Sequence, residues 1–554
     1  MPRLSKTAQT AVIIPNIRIN LPFCRMIHKI GLVFFLSIIY TTSWAQVEDN
    51  YRSLLKNASV EIDKTNLPIV FINVEGQMIL RDDYILAQMK IIHNGDGEYN
   101  YGDTIGHPNQ KVDYEGYIAL KYRGHSSFEQ SDKKPFAFRT LKTSQLPSEG
   151  GEKKKVSLLG MNKDNKWTFL APWTDRSMIR DVLSFSLAKP WMDFVPDTRY
   201  CEVIIDGTYY GVFILVERVS QGKKRLNLKD SNEIENGAET DILVYIDRGD
   251  DPYFKSKYHP FGKEGMNLDR FIKYEYKFPE ETDFPNLPEG TKDFIDNEIN
   301  LLEESFLVEN RNTAIGYKNM IDVTSFVDYM LSTEVSNNVD GYRLSTYLCK
   351  HSKRRGETEN LDSRWKCSLW DFNMAWGNTK YYDHVSNDFW HYKINYRDDF
   401  VNDKDWMPFY WNVLLQDPDY VEQMCNRWLQ YRHSNYSNES IINKVDSITS
   451  LLEDGGALER NERTWQIFTS DIWGVGYDVY NYQEEITYLK EWIIGRLAFM
   501  DKELLDSYTS LCEINDKKEQ FTSFYNLQGV KLSKEPVRGI YIINKNNVVK
   551  KMIR

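Results

Sequence analysis

The sequence predicts an α+β fold in which short β-strands dominate the first half of the chain and helices dominate the second. In the first half, apolar and β-branched runs at 67–74 and 117–123 are bounded by turn residues, as β-strands are. Asp206-Gly207 separates two further apolar runs, and this dipeptide is the strongest short-range signal of a β-hairpin. In the second half, apolar residues recur three and four positions apart, as on one face of a helix, at 411–428, 441–452 and 486–508.

Composition excludes several classes of function. The 554 residues suffice for a large hydrophobic core, in which we expect most of the aromatic residues, 14% of the chain. The formal net charge of −11 disfavours nucleic acid as a partner, because binding a phosphate backbone needs a basic surface. The nine histidines are dispersed and no serine stands in a hydrolase order, so neither a zinc site nor a serine hydrolase is indicated.

The N-terminus reads as an export signal. Arg25 and Lys29 precede an apolar run at 30–40, and Ala45 provides a small residue at the predicted cleavage site. We therefore predict a signal peptide over 1–45, with Met26 as a second candidate start, and a polar linker over 46–65. The alternative is an uncleaved anchor, although the apolar run is short for a membrane span. The signal peptide predicts a protein that is secreted or held in the periplasm or at the cell surface, with no stable membrane span in the mature form.

Five cysteines follow the predicted cleavage site, and their spacing matches no metal site or disulfide framework. Cys349 and Cys367 stand on two neighbouring predicted strands. In an oxidising compartment they could form a bridge, and the alternative is two separate buried thiols.

The most informative stretch lies between 323 and 376. Apolar residues with helical spacing predict a helix from a cap at Thr324 to about Asn337. Arms at 343–350 and 366–370 predict a hairpin, and the charged run between them reads as a solvated loop. Pairing the arms sets Asp340, just before the first arm, beside Asp371, just after the second.

Two neighbouring carboxylates suit phosphoryl transfer. One carboxylate orients or deprotonates the attacking hydroxyl, and the other holds Mg²⁺, a hard cation that takes oxygen ligands and bridges phosphates. The amide of Asn338 or Asn373 could complete the metal shell. The alternative interpretation is structural: Asp340-Gly341 is a turn, and Asp371 caps a strand end.

A polar loop and a basic strand offer a second half of such a site. The loop has backbone N–H groups and two hydroxyls that can cradle phosphates, and the strand lysines can neutralise the phosphate charge. A plain surface hairpin with solvated lysines is the alternative. Glu217 stands among apolar residues of a predicted strand and needs a cationic partner, for which the strand lysines are the candidates; an exposed edge position is the alternative. The loop residues are Arg123, Ser126 and Ser127, and the lysines are Lys133 and Lys134.

Six blocks of the chain resemble one family. RGHSS, KKPF, WTFLAPWTDRSMIRD, DGTYYGVFILVE, NNVDGYRLSTYL and WDFNMAWG are similar, in this order, to the spore-coat-protein-H (CotH) family of atypical secreted protein kinases, in its Bacteroidetes form. The likeness runs from about 67 to about 378. It implies an atypical kinase-like, two-lobed domain over 66–512, with a β-rich N-lobe and a mostly helical C-lobe. It also implies that the protein uses ATP and Mg²⁺ to phosphorylate Ser or Thr of extracytoplasmic proteins.

The resemblance also implies roles for individual residues. Asp340 matches the catalytic aspartate, Asp371 matches the metal aspartate, and Lys133 or Lys134 matches the phosphate-contacting lysine. Glu217 is implied to hold that lysine, and Arg123 to brace the loop. His125 and Asn373 depart from the family pattern, in which Asn or another small polar residue and Asp, respectively, are frequent.

Residues 516–554 change character and predict two or three short strands with turns at Gln528-Gly529 and Arg538-Gly539. They resemble C-terminal sorting domains of Bacteroidetes secretion systems, which implies secretion machinery as a partner. The alternative is a small β-module that covers an edge of the main domain.

Three functions remain open from the sequence. The first is a secreted kinase acting on a protein substrate. The second is a catalytically inactive kinase-fold scaffold or glycan-binding surface protein, and the third is transfer of another nucleotide-borne group, such as AMP, from the same site.

Overall fold

The computed structural model describes residues 61–261, 270–400 and 402–519 and the segments 522–525, 531–532, 534, 540–545 and 548–553. The fold is mixed α+β, as predicted. The predicted signal peptide and most of the predicted linker lie outside the described residues. Among the helices that the structure describes, none has an apolar stretch long enough to cross a membrane.

Seven strands form a closed barrel. The neighbours follow the order β1-β2-β3-β4-β5-β7-β6, and β1 closes the barrel by pairing in parallel with β6, Ile69 beside Glu202. The predicted hairpin is confirmed, because the two-residue turn Asp206-Gly207, with φ of 47° and 77°, joins β6 to β7. The strands are β1 Ile69–Asn73, β2 Ile85–Ile92, β3 Val112–Tyr122, β4 Phe136–Thr140, β5 Lys166–Leu170, β6 Thr198–Ile205 and β7 Thr208–Glu217.

A five-stranded antiparallel sheet follows the barrel in the chain. Its order is β12-β11-β8-β10-β9, and the predicted hairpin arms are confirmed as β11 and β12, with Leu348 opposite Cys367. The segment between the arms is not all loop, because Ser352 caps a short helix whose Arg355 is buried against Asp241. The strands are β8 Ile242–Ile246, β9 Tyr253–Lys255, β10 Lys273–Phe278, β11 Thr346–Lys350 and β12 Lys366–Ser368.

The register of the hairpin shows whether Cys349 and Cys367 can form a disulfide bridge. Cys349 lies opposite Lys366, whereas Cys367 lies opposite Leu348. Paired residues share a face and successive residues alternate, so the two cysteines point to opposite faces of the sheet. Both are free thiols, which is the second of the two alternatives.

The helices agree with the predicted segments except at two boundaries. Asp322 rather than Thr324 caps helix α6, because its side chain accepts from the Ser325 amide at 3.2 Å. The predicted helix at 411–428 is two helices, since Pro418 begins a new one after its cap Asp417. The helices are α1 Ser126–Glu129, α2 Arg180–Ala188, α3 Ser231–Ile234, α4 Thr291–Ser305, α5 Tyr317–Met320, α6 Val323–Ser336, α7 Lys353–Glu359, α8 Tyr410–Leu414, α9 Pro418–Arg432, α10 Asn438–Glu453, α11 Ala457–Trp465 and α12 Tyr482–Glu519.

The core is continuous from the barrel's β7 through α2 and the second sheet to the long helices. Trp365, Trp376, Trp411 and Trp428 are almost fully buried in it, so the high aromatic content serves packing to a large extent. Beyond α12, four strands form a separate sheet in the order β14-β13-β15-β16. They are β13 Thr522–Tyr525, β14 Lys531–Leu532, β15 Ile540–Lys545 and β16 Val548–Ile553, and the predicted turns between them lie outside the described residues.

Candidate functional site

The segment that follows α6 carries unusual backbone strain. Asn337, Tyr342, Ser345 and Asp371 have φ values of 46°, 66°, 52° and 64°, in the left-handed region that side chains with a Cβ disfavour. Each such conformation costs on the order of 1–3 kcal/mol and persists only where the surroundings enforce it. These four positions bracket the two carboxylates singled out in the sequence, so the strain marks this segment as a candidate site.

Asp340 and Asp371 line one cavity of about 310 Å³. Asp340 stands after the end of α6 and Asp371 stands after β12, so pairing of β11 with β12 brings them to the same end of the hairpin. The side chain of Asp340 is 23% exposed and is held by Arg343 at 3.4 Å. The structure therefore places both predicted acids on the wall of a single cavity.

The charges around Asp371 repel one another. Burial raises the pKa of Asp371, and the nearby Asp340 carboxylate raises it further, against the opposing effect of Arg123 and a hydrogen bond from the Ser345 hydroxyl at 3.4 Å. Burial and the Asp371 charge raise the pKa of Asp181, on α2, to about 8, although its Oδ1 accepts the Phe372 amide at 2.7 Å. A cation placed beside Asp371 would relieve this repulsion.

The two predicted amide ligands differ in their availability. Asn338 donates its amide nitrogen to the Asp371 carbonyl at 3.0 Å, and its Oδ1 accepts the Asp340 amide at 3.3 Å, so both ends stabilise the loop. Asn373 lines the cavity and donates Nδ2 to Thr174 Oγ1 at 3.2 Å, which leaves its Oδ1 without a hydrogen-bond partner among the described residues. The structure favours Asn373 over Asn338 as an oxygen donor into the cavity.

The oxygen set suits magnesium rather than a metal held by protein alone. Within the described parts of the chain, no three His, Cys, Asp or Glu side chains group so as to hold a metal ion. Mg²⁺ commonly takes one or two protein oxygens and fills its remaining positions with phosphate oxygens and water. Asp371 and Asn373 therefore fit a Mg²⁺ that arrives with a phosphorylated ligand.

The polar segment after β3 also lines this cavity, with Arg123 and with Ser126 and Ser127, which begin the short helix α1 rather than lying in a loop. Gly124 has a φ of 90°, and a Cβ there would lie 2.1 Å from Ser127 Oγ, so this turn requires glycine. Arg123 stacks over the Trp370 ring at 5.4 Å. The loop predicted from RGHSS thus faces the two carboxylates.

Arg248 is a cavity residue that the sequence analysis missed. It donates to Ser126 Oγ at 3.0 Å and pairs with Asp405 at 3.5 Å, which links Ser126 to the segment around Asp405. Burial lowers the pKa of Arg248, but Asp340 and neighbouring carboxylates outweigh this effect and hold its pKa above the usual range. The polar run Asp247-Arg248-Gly249-Asp250 directly after the buried strand β8 was the signal available in the sequence.

Lys133 and Lys134, predicted on a strand, precede β4, which begins at Phe136, and neither of them lines the cavity. Lys133 is fully buried and donates to the Val212 carbonyl and to Asn461 Oδ1, the latter at 2.8 Å, and burial lowers its pKa well below the usual value. Lys134 donates to the Phe128 carbonyl and stacks over the Phe128 ring at 4.8 Å. Both ammonium groups are committed to the protein's own carbonyls, so neither is placed to contact phosphate.

Glu217 does not pair with either lysine. Its Oε1 accepts the Asn162 amide at 2.6 Å and its Oε2 accepts the Asp197 amide at 3.2 Å. Burial raises the pKa of Glu217, while these backbone donors and Arg225 oppose that effect. Backbone amides rather than a lysine satisfy this buried acid, and it is remote from the cavity lining.

A second cavity of about 510 Å³ adjoins the first and shares Arg123, Gly124, His125, Tyr245 and Asp247 with it. Its walls include the closely spaced rings of Tyr245 and Tyr347, with centroids 4.2 Å apart. Arg139 and Arg218 also line it, and neither forms a salt bridge with a described residue. The second cavity is mixed in charge, because carboxylates such as Asp247, Glu275 and Glu280 line it beside these guanidinium groups and aromatic rings.

Comparison with known proteins gives one family. Residues 120–500, more than half of the chain, match the family model described as CotH kinase protein. The matched segment contains both cavity carboxylates, Arg123 and Arg248. A search of curated proteins found no match.

Proposed function

The chain belongs to the CotH kinase protein family, and from that premise we propose that it is a secreted atypical kinase that transfers the γ-phosphoryl group of ATP to Ser or Thr of an extracytoplasmic protein. The observation that carries the proposal is the single cavity in which Asp340 and Asp371 face the loop residue Arg123. Positioning and electrostatic stabilisation supply most of the catalysis in phosphoryl transfer, and this cavity offers groups for both.

Asp340 is the proposed base. Its side chain is partly exposed to the cavity, and Arg343 fixes its orientation, so its free oxygen can receive the hydrogen bond of an acceptor hydroxyl. The positive φ of Tyr342 and the backbone bond from Leu344 N to Asp340 O, 2.8 Å long, hold the turn that presents it.

Asp371 and Asn373 are the proposed holders of Mg²⁺, which when bound would neutralise charge on the β- and γ-phosphates. Asp371 supplies the carboxylate whose pKa burial and Asp340 already raise, so cation binding would favour its ionised form. Asn373 supplies the amide oxygen that Thr174 leaves free.

Arg123 and Arg248 are proposed to take the role assigned from the sequence to the lysines. Both line the cavity, and a guanidinium presents several N–H donors in a plane that matches phosphate oxygens. The hydroxyls of Ser126 and Ser127 and the turn at Gly124 complete a cradle on this wall.

The adjoining cavity is proposed to take the nucleoside. Its volume of about 510 Å³ lies within the range of small-molecule sites. Tyr245 and Tyr347 offer ring surfaces, and Arg218 and Arg139 can stack on a base or bond its polar edge.

The proposed location rests on the sequence. The 1–45 signal peptide would export the chain, and the four-stranded sheet after α12 would serve as the sorting module that the sequence resembles. Two measurements test this: the N-terminal sequence of the protein recovered outside the cytoplasm, and its surface abundance after deletion of 516–554. Retention inside the cell with an intact N-terminus would contradict the location.

The test of activity begins with binding. We expect ATP to raise the melting temperature of the purified chain only when Mg²⁺ is present, and Asp371→Ala to abolish that increase. Incubation with Mg-ATP should then add phosphoryl groups to the chain itself or to offered proteins in the wild type and not in Asp340→Ala.

Mass spectrometry of the modified protein separates the alternatives. A mass increase of one phosphoryl group supports the kinase, and a nucleotidyl adduct would replace it with AMP transfer. Binding without any transfer would favour the scaffold, and the absence of ATP binding would refute the nucleotide site altogether.

A further inference from the structure

Two buried histidines, His384 and His391, form a chain of contacts that ends at the Asp340-Gly341 turn. His384 Nε2 lies 2.9 Å from His391 Nδ1, and both side chains are fully buried. The outer nitrogens face backbone carbonyls: His384 Nδ1 lies 2.7 Å from Tyr381 O, and His391 Nε2 lies 3.0 Å from Gly341 O. The pair therefore connects two carbonyls through three short contacts.

The number of hydrogens does not match the number of contacts. Each neutral imidazole carries one N–H, so the pair holds two hydrogens, whereas the three contacts need one each. The central contact must contain a hydrogen, because two ring nitrogens facing each other at 2.9 Å with lone pairs would repel. The pair can therefore donate to only one of the two carbonyls at a time, unless it gains a proton. Each carbonyl also accepts one backbone amide, Gly341 O from Arg343 at 2.9 Å and Tyr381 O from His384 at 3.1 Å.

The surroundings favour the neutral pair. Burial lowers the pKa of His384 well below its usual value and lowers that of His391 to about 3. Three arginines from the adjoining elements face the pair: Arg343, just after the Asp340-Gly341 turn, Arg397, and Arg496 on α12. All three disfavour a further positive charge on the histidines. The Glu334 carboxylate on α6 is already occupied by the His391 and Tyr392 amides and the Tyr342 hydroxyl.

Both ends of the pair reach the proposed active site. Gly341 directly follows Asp340, and Tyr381 lines the cavity that contains Asp340. The His391 ring also stacks on Tyr342, with centroids 5.5 Å apart and planes within 12°. The pair thus contacts the turn that presents Asp340 and the backbone of Tyr381, another residue of the cavity lining.

We propose that His384 and His391 are positioning residues that set the placement of the Asp340-Gly341 turn by shifting one hydrogen bond between the Gly341 and Tyr381 carbonyls. This inference rests on the proposed function, because it assigns the pair to the base of that reaction. In one arrangement His391 Nε2–H donates to the Gly341 carbonyl and adds a second bond to the one from the Arg343 amide. In the other, His384 Nδ1–H donates to the Tyr381 carbonyl, and the Gly341 carbonyl keeps the Arg343 amide alone.

The first measurement needs no catalysis. In ¹⁵N-histidine NMR of the full chain at neutral pH, this pair should show two protonated and two bare ring nitrogens. Three protonated nitrogens would mean a charged pair and would overturn the alternation of one hydrogen bond.

Amide hydrogen exchange tests the mechanical claim separately from activity. His391→Phe keeps a ring on Tyr342 but removes both nitrogens, and we expect faster exchange at 339–343. His391→Gln restores a donor toward Gly341 and should return most of the protection. The control, His433→Phe, changes an exposed histidine and should leave 339–343 unchanged.

Exchange that is unaltered in His391→Phe, or equally fast in His391→Phe and His391→Gln, would refute the positioning role even in a chain that transfers no phosphate. In an active chain, His391→Phe should lower kcat about 10- to 100-fold, as misplacement of a catalytic group does, with Mg-ATP affinity within twofold of the wild type. A loss confined to nucleotide affinity would contradict the assignment to Asp340.

Discussion

Two regions that the sequence assigned to one site differ in the structure in whether their polar groups are available to a ligand. The segment from Asn337 to Trp376 contributes to the lining of a cavity. Its backbone is strained, its two carboxylates repel each other, and the Asn373 amide oxygen has no hydrogen-bond partner among the described residues. Around Lys133 and Glu217, each buried charged group is bonded to the protein's own backbone. Polar groups that are buried and satisfied stabilise a fold, whereas polar groups left partly unsatisfied at a cavity are available to a ligand.

The largest expected effect tests the cavity side of this comparison. Asp340→Asn and Asp371→Asn should each lower phosphoryl transfer by about 10³-fold, since each removes a charge that acts on the reacting groups. Asp371→Asn should also raise the melting temperature slightly, because it removes a carboxylate that burial and Asp340 disfavour. Phosphate transfer and thermal unfolding measured on the same samples check both results; lost activity together with lost stability would mean that Asp371 is structural.

For Lys133, which is buried in the core, we expect the reverse: a loss of stability with little change in nucleotide affinity. Lys133→Met removes the ammonium donor of the Val212 carbonyl and one of the two donors of Asn461 Oδ1, which keeps the Val212 amide, and should reduce the free energy of unfolding by about 2–4 kcal/mol. Nucleotide affinity at temperatures where the variant is folded should stay within twofold. Lys134→Met is the matched control, with a smaller loss because Lys134 is only half-buried. A tenfold loss of Mg-ATP affinity in Lys133→Met with unchanged stability would restore the lysine to the site.

Glu303 extends the comparison to a buried acid far from the cavity. Burial raises its pKa to about 7, against hydrogen bonds from Ser256 and Tyr274 at 2.8 and 2.9 Å. Because the folded-state pKa exceeds the unfolded value near 4.5, the stabilisation is complete below pH 4.5 and is lost as pH rises toward 7. Glu303→Gln should therefore flatten the free energy of unfolding between pH 4.5 and 7, by at most about 1.4 kcal/mol per pH unit. Urea titrations at several pH values measure this; an unchanged slope would show that Glu303 is ionised.

The smallest expected effect concerns Arg248, which is proposed to contact phosphate in the role first assigned to a lysine. Arg248→Met should weaken Mg-ATP binding about tenfold, roughly the value of one charge-assisted hydrogen bond to phosphate. Calorimetry with ATP and adenosine sharpens the assignment, because adenosine affinity should not change if Arg248 contacts phosphate. Arg354→Met, at an exposed arginine that lines neither cavity, serves as the control. Equal losses for ATP and adenosine would move Arg248 to the nucleoside end.

The elements of this fold that the sequence predicted are those with local signals. The hairpin at Asp206-Gly207, the helix before Asn337 and the arms that flank Asp340 and Asp371 follow from turn chemistry and apolar spacing. Closure of the barrel by β1 and β6 has no such signal, because the pairing joins distant segments of the chain. The cap at Asp322 and the break at Pro418 were missed because neighbouring residues fitted the helical pattern equally well.

The site was predictable only in part, for a similar reason. Its two acids flank one hairpin, so a local pairing was enough to bring them together. Whether a strand lysine points into a cleft or into the barrel depends on packing against α11, which supplies Asn461 from more than three hundred positions away. Arg248 was missed because its value lies in what it bridges, Ser126 and Asp405, and neither contact can be inferred from spacing.

The parallel pairing of β1 with β6 has a consequence for biogenesis. A nascent chain emerging from the ribosome would complete β1 early, yet its parallel neighbour β6 appears only after β2 to β5 have been synthesised. Loop-closure entropy disfavours such distant pairing until the intervening hairpins have formed, so closure should be a late step in folding. Until then, the outer edge of β1 is an open template for another strand, and the chain needs protection from aggregation during that interval.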